Sequence, residues 1–203
     1  MVNNKELFDL IIQGIITLCV IALFFSIFLD FALYSKNAKV KKGKKSIVET
    51  GTMTLFFFVF YLILKSKLWI IAITNVQLRN SIVIVGVLAI VIGCVINIFG
   101  RFNLGSNWGN HIRIYEDHCL VQKGMYKIVR HPLYASIILM FYGACLVHPN
   151  IACLIAVSLI FVPFMYYRAK QEETMLMRAF PEYEEYKQRT GMLIPKILKR
   201  KGD

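Results

Sequence analysis

Five long runs of apolar residues constrain this chain more than any other feature of its sequence. A helix needs about 20 mainly apolar residues to cross the hydrocarbon core of a bilayer. The predicted transmembrane helices are residues 7–34, 52–73, 81–99, 132–147 and 151–167. They predict an all-α fold, namely a polytopic membrane protein with about five transmembrane helices and cytoplasmic helices at the C-terminus.

The second run has the weakest pattern, because Lys65 and Lys67 interrupt it. Either the two lysines snorkel toward the headgroups, or the helix ends at Leu64 and an interfacial segment follows. The fourth and fifth runs are separated only by residues 148–150. Such a short connection predicts that these two helices form a tight hairpin.

The charges of the chain are distributed unevenly around the apolar runs. The formal net charge is +12 although 57% of the residues are hydrophobic. Residues 35–50, 101–131 and 168–203 hold 20 of the 24 Lys and Arg residues. The positive-inside rule therefore predicts that the N-terminus lies outside, with the long loop and the tail in the cytoplasm. We interpret the lysines of residues 36–45 as a topology determinant resting on anionic lipid headgroups, not as a nucleic-acid site.

The chain is expected to form a single membrane domain over residues 1–203. Residues 1–100 supply three helices, and residues 101–203 supply the loop, the hairpin and the C-terminal segment. The five cysteines have neither metal-ligand spacing nor the even number of a disulfide framework, so no metal site is predicted. The sequence leaves the oligomeric state open.

Polar residues gather where the fourth run begins, in Arg130-His131-Pro132-Leu-Tyr134. Proline suits the first position of a helix, where its missing N–H costs nothing. Arg130 and His131 would then lie beside free backbone N–H groups and the positive end of the helix dipole, which suits an anion such as a carboxylate. The alternative is a basic interfacial anchor with an aromatic belt residue.

A second polar group follows the fifth run. Arg168 and Glu172 are four residues apart and share a helical face, and Glu173 follows. Ionisable groups this close to lipid usually face a bundle interior or a cavity. The alternative is a solvated ion pair. Further on, Tyr183 and Tyr186 share a face and could close over a site.

The order of these motifs resembles the isoprenylcysteine carboxyl methyltransferase family, including its small prokaryotic members. Gly124-Met-Tyr126 precedes the Arg130–Tyr134 motif, which is followed by the hairpin, by Arg168 with Glu172-Glu173, and by Phe180, Tyr183, Tyr186 and Pro195. The stretch Asn103-Leu-Gly-Ser-Asn-Trp108 is similar to the Leu-Gly and Trp stretch of that family. The resemblance covers about residues 100–195.

The resemblance implies S-adenosylmethionine as the cofactor and a lipophilic substrate that enters from the membrane. By motif, His131 and Tyr134, with Pro132 between them, would hold the methionine carboxylate of the cofactor. Glu172 and Glu173 are candidates for its ammonium group, for its ribose, or for orienting an arginine. The adenosine end would be lined by Gln122, Lys123, Gly124, Met125 and Tyr126.

We expect a carboxyl O-methyltransferase that acts on a lipophilic carboxylate such as a prenylcysteine. A carboxylate is ionised at neutral pH, so it needs positioning and partial desolvation and no general base. Arg130 and Arg168 are the candidate catalytic residues, because a guanidinium binds a carboxylate through two parallel hydrogen bonds.

Three alternatives remain. A phospholipid or lipid-amine N-methyltransferase would need a base, for which Glu172 or Glu173 could serve. A membrane sterol or enone reductase would bind NADPH. A small membrane scaffold would bind neither cofactor.

Overall fold

The computed structural model describes residues 4–34, 40–43, 47–66, 69–105, 113–115 and 119–196. These residues are almost entirely helical, which confirms the all-α prediction. Within them, the only sheet pairs β1 (Val40–Gly43) with β2 (Arg113–Tyr115) in an antiparallel ladder. Most of the lysine cluster at 36–45 lies outside the described residues.

The predicted apolar helices are present. The first four are α1 (Asn4–Tyr34), α2 (Ile47–Ser66), α3 (Val76–Leu104) and α4 (Pro132–Val147). By length and composition, three described stretches could each cross a membrane, namely Asn4–Leu33, Val76–Leu104 and Ile151–Ala179. Two shorter apolar helices are Gly51–Ser66 and Pro132–Val147. The protein is therefore an integral membrane protein with several transmembrane helices.

The predicted hairpin is confirmed, and its second arm continues as a helix past the apolar run to Ala179. Helix α5 (Ile151–Ala156) continues through a π-helical turn (Val157–Phe161) into α6 (Val162–Ala179). Asn150 caps α5, because its Oδ1 accepts a hydrogen bond from Cys153 N at 2.9 Å. The π turn ends just before Pro163, which has no N–H to donate to the preceding turn. After a short break, α7 covers Tyr183–Arg189.

The extension of the second helix to residue 73 is wrong. Helix α2 ends at Ser66, and Ile70 instead forms an isolated bridge with Asn150 in the hairpin turn. Ile71 N donates to Pro149 O at 2.9 Å, and Ile151 N donates to Trp69 O at 3.1 Å. Lys65 lies in the last turn of α2, where its charge is favourable beside the negative end of the helix dipole. The hairpin turn then satisfies backbone groups of the segment that follows. Lys67 lies outside the described residues.

Helices α3 and α4 pack at very short range because α3 carries a glycine every seventh residue. A Cβ added to Gly86 would lie 2.7 Å from Gly143 O, and one added to Gly93 would lie 2.9 Å from Ser136 O. Small residues allow helix backbones to approach closely within membranes. The C-terminal end of α3 therefore lies against the N-terminal end of α4.

An aromatic core joins α2, α4 and the π turn. The ring centroids of Phe56 and Phe161 are 4.6 Å apart, and those of Phe60 and Phe141 are 4.7 Å apart. Phe161 and Met165 are fully buried. Tyr134 packs against this core, so the core adjoins the polar residues at the mouth of α4.

Candidate active site

The first turn of α4 presents two parallel rings. His131 is the residue that precedes the helix, and Pro132 occupies its first position, as expected. The rings of His131 and Tyr134 stack with centroids 5.5 Å apart and an interplanar angle of 7°. His131 and Tyr134 therefore lie on one face of the first turn.

Two carboxylates of α6 approach these rings. Glu172 Oε2 accepts a hydrogen bond from Tyr134 Oη at 3.1 Å and lies 3.5 Å from His131 Nδ1. Glu173 Oε1 lies 3.3 Å from His131 Nε2, on the other side of the imidazole. Burial opposes the charge of the imidazole, but the two carboxylates outweigh it and raise the pKa of His131 to about 9. His131 is therefore an imidazolium at neutral pH.

Arg130 is buried and already binds acceptors from two elements. Its Nε donates to Glu173 Oε1 at 2.6 Å, and its Nη1 donates to Lys187 O at 3.2 Å and to Thr190 O. The backbone of Arg130 also donates, to Gly191 O at 2.8 Å. Arg130 therefore fastens the C-terminal segment to the mouth of α4, and Glu173 orients an arginine, one of the roles considered for it.

The C-terminal tyrosines close this side of the site. Tyr183 and Tyr186 are buried, and their rings meet edge to face with centroids 5.7 Å apart. Tyr186 Oη donates to Tyr126 O at 2.5 Å. Burial raises the pKa of Tyr186 to about 12, so its phenol is neutral. The two tyrosines therefore share a buried face of α7, as expected.

Arg168 lies where the polar cluster meets the aromatic core. Its side chain is buried, its Cζ is 5.9 Å from the ring centroid of Tyr134, and its Nη1 donates to Met53 Sδ at 3.0 Å. The alternative of a solvated pair with Glu172 is wrong, since Arg168 is buried and Glu172 binds His131 and Tyr134 instead. Met53 comes from α2, which sequence reasoning did not connect with the site.

The segment proposed for the adenosine end forms a 3₁₀-helical turn, Gly124–Lys127, beside the end of α3. Met125 N donates to Asn103 Oδ1 at 2.9 Å. Gly124 has a φ of 59°, and a Cβ there would collide with the Asn103 side chain. Gln122 Oε1 accepts from Arg189 Nη2 at 3.5 Å, whereas Lys123 is exposed.

Several buried polar atoms of this cluster have no hydrogen-bond partner. Among the described residues five such side-chain atoms exist, and three belong to the site: Arg168 Nε, Tyr183 Oη and His131 Nε2. His131 Nε2 still has an ionic contact, since it lies 3.3 Å from Glu173 Oε1. Buried donors without partners are costly, so they indicate a place for a polar ligand. The described part of the chain holds no group of three or more His, Cys, Asp or Glu placed to bind a metal ion.

The fold is that of an α-helical integral membrane protein with a buried polar cluster at the mouth of an apolar helical hairpin. Residues 83–178 match the model of the isoprenylcysteine carboxyl methyltransferase (ICMT) family. This match confirms the family resemblance, and it includes α4 and most of the hairpin.

Known proteins share parts of the chain. A probable protein-S-isoprenylcysteine O-methyltransferase of Oryza sativa is 34% identical over 116 residues, which are 56% of this chain and 61% of that protein. The cobalt-zinc-cadmium resistance protein CzcN of Cupriavidus metallidurans is 30% identical over 88 residues, or 43% of this chain and 41% of that protein. The chain thus spans less than two thirds of either relative.

The fold also resembles a solved structure, that of the eukaryotic intramembrane Ras methyltransferase ICMT. The two superpose with a TM-score of 0.59 and 23% sequence identity over 74% of this chain and 55% of the other. The likeness establishes that the two proteins share a helical membrane fold.

Proposed function

We propose that the protein is an S-adenosylmethionine-dependent carboxyl O-methyltransferase acting on a lipophilic carboxylate, such as a prenylcysteine, that enters from the membrane. The observation that carries the proposal is the position of Arg168. Its guanidinium is buried, retains an unpartnered Nε, and lies between the polar cluster and the aromatic core. A carboxylate with an apolar tail matches both surroundings.

The polar cluster suits the amino acid end of the methyl donor, which carries a carboxylate and an ammonium group on one carbon. The His131 imidazolium and the Tyr134 hydroxyl would bind the carboxylate. Glu172, beside them and half-buried, would bind the ammonium group. Gln122, Lys123, Gly124, Met125 and Tyr126 would line the adenosine end. When bound, the donor supplies an electrophilic methyl group on a sulfonium.

Arg168 would hold the carboxylate of the acceptor and draw it out of water. Desolvation makes the carboxylate a better nucleophile, and the guanidinium keeps it ionised and oriented. Arg130 would contribute indirectly, by positioning other groups, because its Nε and Nη1 already bind Glu173 and two backbone carbonyls. Arg130 thus holds Glu173 against His131 and keeps the C-terminal segment in place.

A carboxyl acceptor fits these contacts better than an amine. A lipid ammonium must lose a proton before it can accept a methyl group, and therefore needs a base. Both candidate bases are engaged, Glu172 by Tyr134 and His131, and Glu173 by Arg130 and His131. A carboxylate held by cations and donors is a weak base.

We also propose that the site faces the cytoplasm and that the N-terminus lies outside, with the basic loops against anionic lipids. This orientation follows from the excess of Lys and Arg on one side of the apolar helices. Cysteine labelling in intact cells tests it, using a single cysteine at exposed Lys123 and another at exposed Leu78, near the N-terminal end of α3. Labelling of position 123, but not of 78, by an impermeant reagent added outside would contradict it.

The activity is tested by incubating the purified protein in detergent with methyl-labelled S-adenosylmethionine and either a prenylcysteine analogue or a lipid amine. We expect label in the prenylcysteine product, and we expect mild base to release it as methanol, because the product is an ester. Base-stable label on the lipid amine would favour the N-methyltransferase. Thermal stabilisation by NADPH and not by S-adenosylmethionine would favour the reductase.

A further inference from the structure

Two ion pairs join α1 to α3, one near each end of these helices. Near the N-terminal ends, Arg79 Nη2 lies 3.0 Å from Asp9 Oδ1, and both side chains are about one third exposed. Near the C-terminal ends, Arg101 Nη1 lies 2.9 Å from Asp30 Oδ2, and the two side chains are only 11% and 8% exposed. The two helices therefore run parallel, and their two ion pairs differ mainly in burial and in distance from the site.

The buried pair begins a chain of polar contacts that ends on the backbone of α4. Arg101 Nε donates to Asn97 Oδ1 at 2.9 Å, and Asn97 Nδ2 donates to Ser136 Oγ at 2.8 Å. Ser136 Oγ in turn donates to Leu133 O at 2.7 Å, and Asn97 Nδ2 lies 3.4 Å from the same oxygen. Leu133 directly precedes Tyr134, so the chain ends in the helical turn that carries the site.

The same end of α3 also supports the second wall of the site. Asn103, two residues after Arg101, accepts the hydrogen bond from Met125 N. Gly100, directly before Arg101, packs closely against α4, since a Cβ there would lie 2.9 Å from Leu133 Cδ2. The last turns of α3 therefore contact both segments proposed to hold the methyl donor.

Holding the helices together does not require these charges. Helix α1 already packs on α3 through the buried cluster of Ile12, Val83 and Val87, and α3 packs on α4 through glycines. A buried ion pair can often be replaced by apolar residues without loss of stability. Charged residues inside a membrane protein are costly, and those that are present usually serve function. Because hydrogen bonds are directional, these polar contacts select one rotation of each helix about its own axis.

We infer that four residues linked by these contacts position the first turn of α4, and with it His131 and Tyr134, for the methyl donor: Asp30, Arg101, Asn97 and Ser136. The inference rests on the proposed function, because it assigns the donor to that turn. The four residues touch no reacting atom, and they act through the Leu133 carbonyl.

The network is tested in detergent on the full chain through the Kd for S-adenosylhomocysteine, the demethylated donor. Asp30→Asn and Asn97→Leu break the chain of contacts at two points. Asp9→Asn is the matched control, because it breaks the other ion pair between the same helices. We expect the Kd to rise about tenfold or more in the first two variants, and by less than about twofold in the control.

Further variants separate positioning from folding. Asp30→Asn leaves the Arg101 charge without its carboxylate, so Asp30→Asn/Arg101→Gln, which removes both charges, is measured beside it. Asp30→Glu retains the carboxylate, so its affinity for the donor should be closer to that of the wild type than to that of Asp30→Asn. In turnover, the KM for the donor should rise more than kcat falls, whereas general loss of structure would lower kcat through the fraction of active protein.

Backbone hydrogen exchange over residues 129–136 of the ligand-free protein gives a second measurement that needs no donor. Exchange there should be faster in Asp30→Asn and Asn97→Leu than in Asp9→Asn. Equal exchange in the three variants would overturn the inferred positioning role of the network. Equal Kd values in the three variants would also overturn it, provided that the wild type binds S-adenosylhomocysteine. A wild type that binds no S-adenosylhomocysteine refutes the proposed function instead, and exchange then decides the network alone.

Discussion

Tyr134 and Glu172 meet across two helices, with Tyr134 Oη donating to Glu172 Oε2 at 3.1 Å although the residues are 38 positions apart. This contact connects the mouth of α4 with α6 and places a phenol, an imidazolium and a carboxylate side by side. In the proposed function the phenol and the imidazolium bind the carboxylate of the donor, and the carboxylate of Glu172 binds its ammonium group. Each role can be tested separately.

Tyr134→Phe should weaken donor binding while the fold persists. The substitution keeps the ring that stacks on His131 and removes only the hydroxyl. A hydrogen bond to a charged group contributes about 1.5–3 kcal/mol, so the Kd for S-adenosylhomocysteine should rise roughly 10- to 100-fold. Tyr142→Phe is the control, because it removes a similar phenol that contacts Ser158 Oγ at 3.0 Å, away from the site. Equal effects of the two substitutions would contradict the role of Tyr134.

The charge of His131 predicts a pH dependence of stability. Because its pKa is raised from 6.5 to about 9, the contribution of His131 to stability is complete below pH 6.5 and is lost as the pH rises through about 9. An NMR titration of carbon-13-labelled histidines, with His131→Asn for assignment, measures this pKa directly. Glu172→Gln should move the midpoint toward 6.5, since Glu172 is one of the two carboxylates that raise it. A titration midpoint near pH 6.5 for His131 in the wild type would contradict the assignment of an imidazolium at neutral pH.

Gly124→Ala should destabilise the 3₁₀-helical turn proposed for the adenosine end. Gly124 has a positive φ, which costs other residues roughly 1–2 kcal/mol, and a Cβ would collide with Asn103. We expect a lower thermal unfolding midpoint and weaker donor binding. Gly14→Ala is the control, because nothing lies within 4 Å of a Cβ there and alanine favours a helix. An unchanged midpoint for Gly124→Ala would show that the turn tolerates a side chain.

Glu173→Gln should be among the most destabilising single changes. It leaves Arg130 buried without its carboxylate, and breaking a buried ion pair typically costs about 3–5 kcal/mol. Glu184→Gln removes a carboxylate from an exposed pair with Lys187 and should change the unfolding free energy by about 0.5 kcal/mol or less. Comparing thermal unfolding of the two variants in the same detergent tests this. Similar losses would mean that Glu173 carries no more weight than a surface carboxylate.

The bounds of α4 could be predicted from the sequence because local signals define them. Pro132 marks the first position of the helix, and the helix ends just before the turn formed by His148, Pro149 and Asn150. Motif order also predicted that the residues of both polar groups would gather at one site. These features depend on residues close to one another in the chain or on a family resemblance.

Contacts between distant residues could not be predicted in the same way. Met53 binds Arg168 from 115 positions away, and Arg101 binds Asp30 from 71 positions away. Periodicity indicates that a segment is helical and apolar, but not which neighbour its polar residue meets. The alternative in which the second helix ends at Leu64 is close to the observed end at Ser66. The pairing of residues 69–71 with the hairpin turn could not be predicted, because it also joins distant parts of the chain.

In the proposed function, Arg168 binds the acceptor whereas His131 binds the donor. The most direct measurement compares calorimetric binding of S-adenosylhomocysteine with methyl transfer to a prenylcysteine analogue in Arg168→Ala. Lys170→Ala, an exposed change on the same helix, is the control. We predict that Arg168→Ala abolishes methyl transfer and keeps the Kd within about twofold of the wild type. Unchanged methyl transfer in Arg168→Ala would contradict the account.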